Sequence, residues 1–182
     1  MKHIKHINEY GIRDEYSKMG VDNFYKTNKN SYVNPHLKNI HLALDWVLSK
    51  IKITSIIDLA AGNGEVTQYL TKNGINDAIG IDPYLSETYE QNTGNDSLNL
   101  SFQDIATDGI GYHAQTVICS YALHLCPKSY LNNLMYNLHE ICEYFILISP
   151  SKYPIISDEY FDLIDSTIIN KTHCKIFKSK TL

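Results

Sequence analysis

Between residues 37 and 51, apolar side chains recur at every third or fourth position: Leu37, Ile40, Leu44, Val47, Leu48 and Ile51. That period places them on one face of an amphipathic helix. Asn34-Pro35, a capping residue followed by a proline suited to a first turn, predicts its start. The period then changes. Ile53 to Leu59 is a short β-branched run that predicts a buried strand, and Glu65 to Lys72 reads as a helix stopped at Asn73-Gly74. Ala78 to Ile81 predicts a second strand, followed by a short helix through Glu87 and Tyr89 and a turn cluster at Asn92 to Asp96. Leu98 to Phe102 predicts a third strand and Thr116 to Ser120 a fourth. Pro127 opens a helix with Leu131, Leu134, Met135, Leu138 and Ile141 on one face, and Tyr144 to Ile148 predicts a fifth strand. Continuous apolar strands alternating with helices point to a parallel sheet covered on both faces. Phe161 to Ile169 and Cys174 to Phe177, split by Asn170-Lys171, break the rhythm and predict an antiparallel hairpin. The expected fold is α/β: three layers around a mostly parallel sheet, with an antiparallel C-terminal hairpin.

No repeat, low-complexity tract or linker divides the chain, so residues 1–182 are expected to form one domain. Residues 34–182 make its core, and the polar, tyrosine-bearing residues 1–33 are read as a helical lid or cap. A formal net charge of -4, with Arg13 the only arginine, gives no strong nucleic-acid signal. Cys119, Cys126, Cys142 and Cys174 contain no C-x-x-C pair, and no apolar leader follows the N-terminal Met-Lys-His-Ile. No stretch approaches the roughly 20 apolar residues that cross a bilayer. The expectation is a cytoplasmic protein with reduced thiols and no membrane partner. His3, His6 and His41 lack partners at ligand spacing, so no metal is expected.

The informative segment runs from Ile56 to Thr67: a strand, a small-residue turn containing Gly62 and Gly64, then a helix N-terminus. Ligands of open parallel sheets bind at the carboxyl ends of the strands, where glycines let them approach the backbone. Asp58 sharpens the reading. Beside a dinucleotide's pyrophosphate its carboxylate would be repulsive, by about 4 kcal/mol at about 4 Å and an effective dielectric near 20. Beside the α-ammonium and sulfonium of S-adenosyl-L-methionine it would attract. The dinucleotide fingerprint also asks for a third glycine where Thr67 stands. The plainer alternative is that Asp58 caps the turn by accepting neighbouring backbone N–H groups. Asp82, with Pro83 behind it, ends the second strand, where an acid accepts ribose hydroxyls or caps the next helix. Asp104 and Ile105, past the third strand, are candidates for holding adenine, or simply loop residues.

Together these residues resemble the class I, Rossmann-like methyltransferases. That family's first strand ends D/E-x-G-x-G-x-G; here the run is Asp58-Leu59-Ala60-Ala61-Gly62-Asn63-Gly64, with Ala60 replacing the first glycine. The resemblance covers roughly residues 36–182. It implies S-adenosyl-L-methionine as cofactor, with Asp58, Ala60, Gly62 and Gly64 around the methionine moiety. It also implies Asp82 on the ribose, Asp104 and Ile105 on the adenine, and a seven-stranded sheet with a reversed final strand. Tyr32-Val33-Asn34-Pro35-His36 is similar to a stretch in small methyltransferase-like proteins, without naming a substrate.

The family's methyl-transfer site follows the fourth strand, here Cys119-Ser120-Tyr121-Ala122-Leu123-His124. The Asp/Asn/Ser-Pro-Pro-aromatic motif of amino-methylating enzymes is absent. Ser120 is a candidate for lining the donor, Tyr121 for the transfer site, and His124 for accepting a proton from a hydroxyl nucleophile. His124 satisfying a backbone carbonyl is the alternative. Tyr32 and His36 are lid candidates. The expected activity is methyl transfer to a small-molecule or protein acceptor. The main rival is a non-catalytic S-adenosylmethionine-binding subunit that activates a protein partner. A nicotinamide-dependent reductase is a third reading, opposed by Asp58 and Thr67.

Overall fold

The computed structural model describes residues 34–180. The expected lid at residues 1–33, with Tyr32, lies outside the described residues. Within them the order is α1 (Leu37–Leu48), β1 (Ser55–Leu59), α2 (Glu65–Lys72), β2 (Asp77–Ile81), α3 (Ser86–Thr93) and β3 (Ser97–Leu98). There follow α4 (Phe102–Asp108), β4 (Thr116–Ser120), a single 3-10 turn (Leu123–Leu125), α5 (Lys128–His139), β5 (Tyr144–Ser149), β6 (Phe161–Ile169) and β7 (Thr172–Ser179).

The seven strands form one sheet in the order β3-β2-β1-β4-β5-β7-β6. The β1–β2, β1–β4, β2–β3 and β4–β5 pairs are parallel, and β7 runs antiparallel to both β5 and β6. The predicted hairpin and mostly parallel sheet are therefore both present. Strand order reverses between β1 and β4, which opens a crevice at their carboxyl ends.

Alternation along the strands divides the apolar side chains between two cores. Ile57, Leu59, Val117, Phe145 and Leu147 face α4 and α5, whereas Ile56, Ile118, Ile146 and Ile148 face α1 and α2. The α1 stripe behaves as its spacing predicts, with Ile40, Ala43, Leu44 and Val47 buried. Tyr89 of α3 bonds to Thr67 of α2, so α3 joins α1 and α2 on that face. At Gly80 a Cβ would meet Tyr89 ring carbons at 2.6 Å, so the α3 ring lies directly on the backbone of β2.

Two of the boundaries that move have a local cause. Asn34 is not the N-cap of α1: its Oδ1 accepts the His36 N–H at 2.9 Å in an Asx turn, and the helix begins at Leu37. The third strand stops at Leu98, and Phe102 opens a helix instead. Leu98, Leu100 and Phe102 do alternate like a strand, but Ser101 and Asp104 form a reciprocal capping box that satisfies two helix-start donors. The local hydrogen bonds outweigh the two-residue pattern.

Candidate functional site

The ends of three adjacent strands build the site. Leu59 pairs with Ile81 on one side and Cys119 on the other, so Ala60, Asp82 and Ser120 stand abreast one residue beyond. The chain then turns sharply. Ala60, Gly62 and Gly64 all adopt left-handed backbone, at φ 57°, 57° and 82°. For Ala60 that conformation costs roughly 1–2 kcal/mol that glycine would not incur. Gly64 is required twice over, since a Cβ would also lie 2.4 Å from Thr93 Cγ2. Gly62 meets only the Glu65 carboxylate, at 3.7 Å.

Asp58 points to the α2 side and is only 1% exposed. Its Oδ2 accepts the Thr67 N–H at 3.2 Å and the Thr67 hydroxyl at 2.8 Å. Thr67 Oγ1 is in turn 2.9 Å from the Tyr89 hydroxyl. The capping alternative for Asp58 is thus real, and it orients the carboxylate. Burial pushes the Asp58 carboxyl up to about 7, against the lowering effect of the Thr67 bonds, with Glu65 and Asp82 adding repulsion. Glu65, at the first position of α2, is raised too, by burial first and by Asp82 among its other causes.

Asp82 ties the loops together. Its Oδ2 accepts the Gly62 N–H at 3.0 Å, and its Oδ1 accepts the Tyr84 and Leu85 N–H groups at 2.8 Å each. It caps the turn through Pro83 into α3 while sitting at the mouth of the first loop. None of Asp58, Glu65 and Asp82 has an ion-pair partner among the described residues, whose salt bridges all lie elsewhere. Three acids around one left-handed loop repel one another there.

Ser120 closes the row with a buried hydroxyl that has no hydrogen-bond partner among the described residues. Tyr121 follows in left-handed backbone at φ 55°, a strained conformation for a bulky residue. Its N–H donates to Ile148 O at 2.8 Å, its hydroxyl bonds with Thr172 Oγ1, and its ring stacks on His36 at 4.1 Å. His124 is exposed on the 3-10 turn. At the start of α4, Asp104 is exposed and its Oδ2 accepts from the Ser101 N–H and hydroxyl, which hold the carboxyl below its usual range. Ile105 is fully buried in the core below that edge.

The structure therefore brings Asp58, Ala60, Gly62, Gly64, Asp82, Pro83 and Ser120 to one crevice. Asp104 lies at the exposed start of α4, where its carboxylate accepts from Ser101, and the Ile105 side chain belongs to the core. Sequence reasoning passed over Glu65, whose acid at a helix N-terminus was a visible signal. It also missed Tyr89 and Thr172, which are brought in only by tertiary packing. The four cysteines are buried free thiols, and burial raises Cys126 to about 11 and Cys142 and Cys174 to about 12, so none supplies a thiolate. No group of three metal-ligating side chains occurs among the described residues.

No protein-family model matches the chain. An uncharacterised protein of Schizosaccharomyces pombe is 27% identical over 95% of this chain and 94% of its own length. Among solved structures, magnesium protoporphyrin IX methyltransferase from Synechocystis with bound SAM superposes at a TM-score of 0.61. It is 17% identical, covering 92% of this chain and 94% of that one. A TehB-like SAM-dependent methyltransferase from Corynebacterium glutamicum is 12% identical, at a TM-score of 0.63 over 94% of this chain and all of that one. The fold is that of the class I methyltransferases. The 16S rRNA methylase RmtB shares it at 15% identity and a TM-score of 0.56, over 94% of this chain and 87% of that one. Within this methyltransferase fold the crevice at β1, β2 and β4 is the switch point of the sheet, and the acidic loop lies on it.

Proposed function

We propose that the chain is an S-adenosylmethionine-dependent methyltransferase acting on a small molecule or a polypeptide side chain. The observation that carries this reading is the ring of Asp58, Glu65 and Asp82 around the Ala60–Gly64 bend, without an ion-pair partner among the described residues. Such a loop fits a cationic amino-acid nucleoside and opposes a diphosphate. The buried Ser120 hydroxyl, unpartnered among the described residues, fits as well, because it awaits a polar atom at the same edge.

S-adenosylmethionine supplies an electrophilic methyl group on a sulfonium. The residues of this chain bind and orient. Asp58, with Ala60, Gly62 and Gly64, surrounds the methionine part. Asp82, set by Pro83, takes the ribose, and Asp104 with the backbone at Ile105 takes the adenine. Ser120 lines the donor. Tyr121, braced by Thr172 and His36, forms the wall toward the acceptor, and exposed His124 takes a proton where the nucleophile is a hydroxyl. Transfer from a sulfonium rests on alignment and exclusion of water, so His124 tunes the rate rather than enabling it. The charge of -4 and the single arginine favour a small molecule or a protein over a nucleic acid as acceptor.

Calorimetry of the full chain with S-adenosylmethionine, S-adenosylhomocysteine and NAD tests the reading. Binding of the first two and not of NAD is expected. Binding of NAD alone, or of none, overturns it. Donor binding with methyl transfer only after a co-purifying protein is added points instead to the activating-subunit alternative.

A further inference from the structure

The crevice edge of the sheet divides into an acidic half and a basic half. The segments that leave β1, β2 and β3, residues 58–67, 82–93 and 98–104, contain six Asp or Glu and no Lys or Arg. Four segments meet at the other half: residues 34–41 at the start of α1, 119–130 after β4, 147–157 after β5 and 168–177 around the β6–β7 turn. They contain five lysines and four histidines and no Asp or Glu. The chain as a whole has 20 Asp and Glu against 16 Lys and Arg, so the basic half runs against its composition.

Contacts tie these four segments into one wall. The His36 ring stacks on Tyr121 at 4.1 Å, and the Tyr121 hydroxyl bonds with Thr172 Oγ1. The Tyr121 N–H donates to Ile148 O at 2.8 Å, and Ser149 pairs with His173 across β5 and β7. Asn170 Nδ2 donates to Asn39 Oδ1 at 3.4 Å, which joins the β6–β7 turn to α1. Lys175 donates through Nζ to Lys152 O at 3.1 Å and so holds the connection after β5. It is partly buried, and burial holds its ammonium below the usual range. Lys152 and Lys171 are exposed, Lys171 in left-handed backbone at φ 67° beside Thr172. None of the five lysines has an ion-pair partner among the described residues. A surface of one sign without compensating charge concentrates ions of the other sign.

We propose that the methyl acceptor is a small molecule carrying a carboxylate or a phosphate, which Lys152 and Lys171 hold against the Tyr121 wall. This rests on the reading of the acidic half as the donor site. The two halves then suit the two reactants: the cationic donor lies among acids, and the acceptor lies among lysines and histidines. A cationic acceptor would be opposed both by that wall and by the sulfonium. Two lysines flanking one aromatic contact match a single anionic group rather than the repeated phosphates of a nucleic acid.

Ligand-detected NMR titrations of the full chain saturated with S-adenosylhomocysteine test this with four probes that share one ring: benzoate, phenyl phosphate, benzyl alcohol and benzylamine. At low salt and about pH 7, one or both anions should bind at least about tenfold more tightly than the alcohol or the ammonium. Which anion does so separates a carboxylate acceptor from a phosphate one. Lys152→Gln with Lys171→Gln should weaken that anion about fivefold. Lys52→Gln with Lys72→Gln removes the same charge from exposed positions before β1 and at the end of α2, and should leave it unchanged. Equal binding of the four probes, a preference for benzylamine, or no probe binding below about 50 mM overturns the proposal. So does an anion affinity that the Lys152 and Lys171 pair leaves unchanged, or that both paired variants reduce alike. A polyglutamate peptide or a single-stranded RNA that displaces the anion at lower concentration overturns the small-molecule assignment. Failure of S-adenosylhomocysteine itself to bind, read by calorimetry on the same samples, overturns the donor reading instead.

Discussion

Replacing Asp58 with asparagine probes the centre of the site, because stability and donor binding should move in opposite directions. The carboxyl is buried, and burial lifts it from an ordinary 3.8 to about 7. At about 1.4 kcal/mol per decade, that difference corresponds to about 4 kcal/mol. A group whose folded value lies above its unfolded value contributes stability in full below the unfolded value. The contribution is lost as pH rises through the folded one. Here the window runs from 3.8 to about 7, and above it the fold carries the ionised acid at full cost. The substituted amide cannot ionise, yet its carbonyl oxygen keeps both bonds from Thr67. Asp58→Asn should therefore gain stability relative to the wild type as pH rises, by up to about 4 kcal/mol near pH 8. At about 2–4 °C per kcal/mol for a chain of this size, Tm should separate by up to about 16 °C.

The same substitution removes one of three negative charges around the loop. Affinity for S-adenosylmethionine should fall by about tenfold or more, because even about 1.4 kcal/mol of lost attraction gives that factor. Thermal unfolding from pH 5 to 8.5 and calorimetry at pH 8 read the two effects separately. Glu65 is also raised by burial and bends the wild-type curve the same way, so the difference between the proteins is the diagnostic. Parallel pH curves would refute the burial argument. A variant that is more stable yet binds the donor equally well would refute the ligand role and leave Asp58 a cap.

Other substitutions test separate joints of the structure. Asp82→Ala strips the acceptor from three backbone N–H groups and should cost about 1–3 kcal/mol in urea unfolding as well as weakening S-adenosylhomocysteine binding. Unchanged affinity would remove its ribose role. Gly80→Ala drives a methyl into the Tyr89 ring and should destabilise by about 1–3 kcal/mol, read by the denaturation midpoint. Ser101→Ala opens the capping box of α4 and should cost about 1 kcal/mol, also by denaturation. Ala60→Gly relieves left-handed strain and should raise stability by up to about 1 kcal/mol with donor binding retained.

What could be seen in the sequence was what is local. The strand Ser55–Leu59, the bend and the helix after it are neighbours in the chain, so composition alone exposes them. The hairpin of β6 and β7 was visible for the same reason, as two apolar runs around Asn170-Lys171, both of which adopt positive φ. The end of the third strand was misplaced because two local codes overlap in the same residues. Leu98, Leu100 and Phe102 alternate, while Ser101 and Asp104 cap, and a pattern of burial says nothing about hydrogen bonds competing for the backbone. Tyr89 was invisible for a different reason: its partners, Gly64, Thr67 and Gly80, come from three other elements.

The capping reading of Asp58 is met by Thr67, and the proposed ligand role is compatible with the same arrangement. Thr67 stands where a dinucleotide loop would place glycine, and a glycine there could offer only its N–H. The threonine adds a hydroxyl, and with it a second bond to the same carboxylate oxygen. That fixes the orientation of the acid without neutralising it, since hydrogen bonds from N–H and O–H groups leave the charge in place. Burial and the neighbouring acids still hold the carboxyl near 7, so the group remains short of compensation in the ligand-free fold. A cap that served stability alone would do better as asparagine at the same position. Retaining an oriented, under-compensated carboxylate in a crevice is what binding a cation requires.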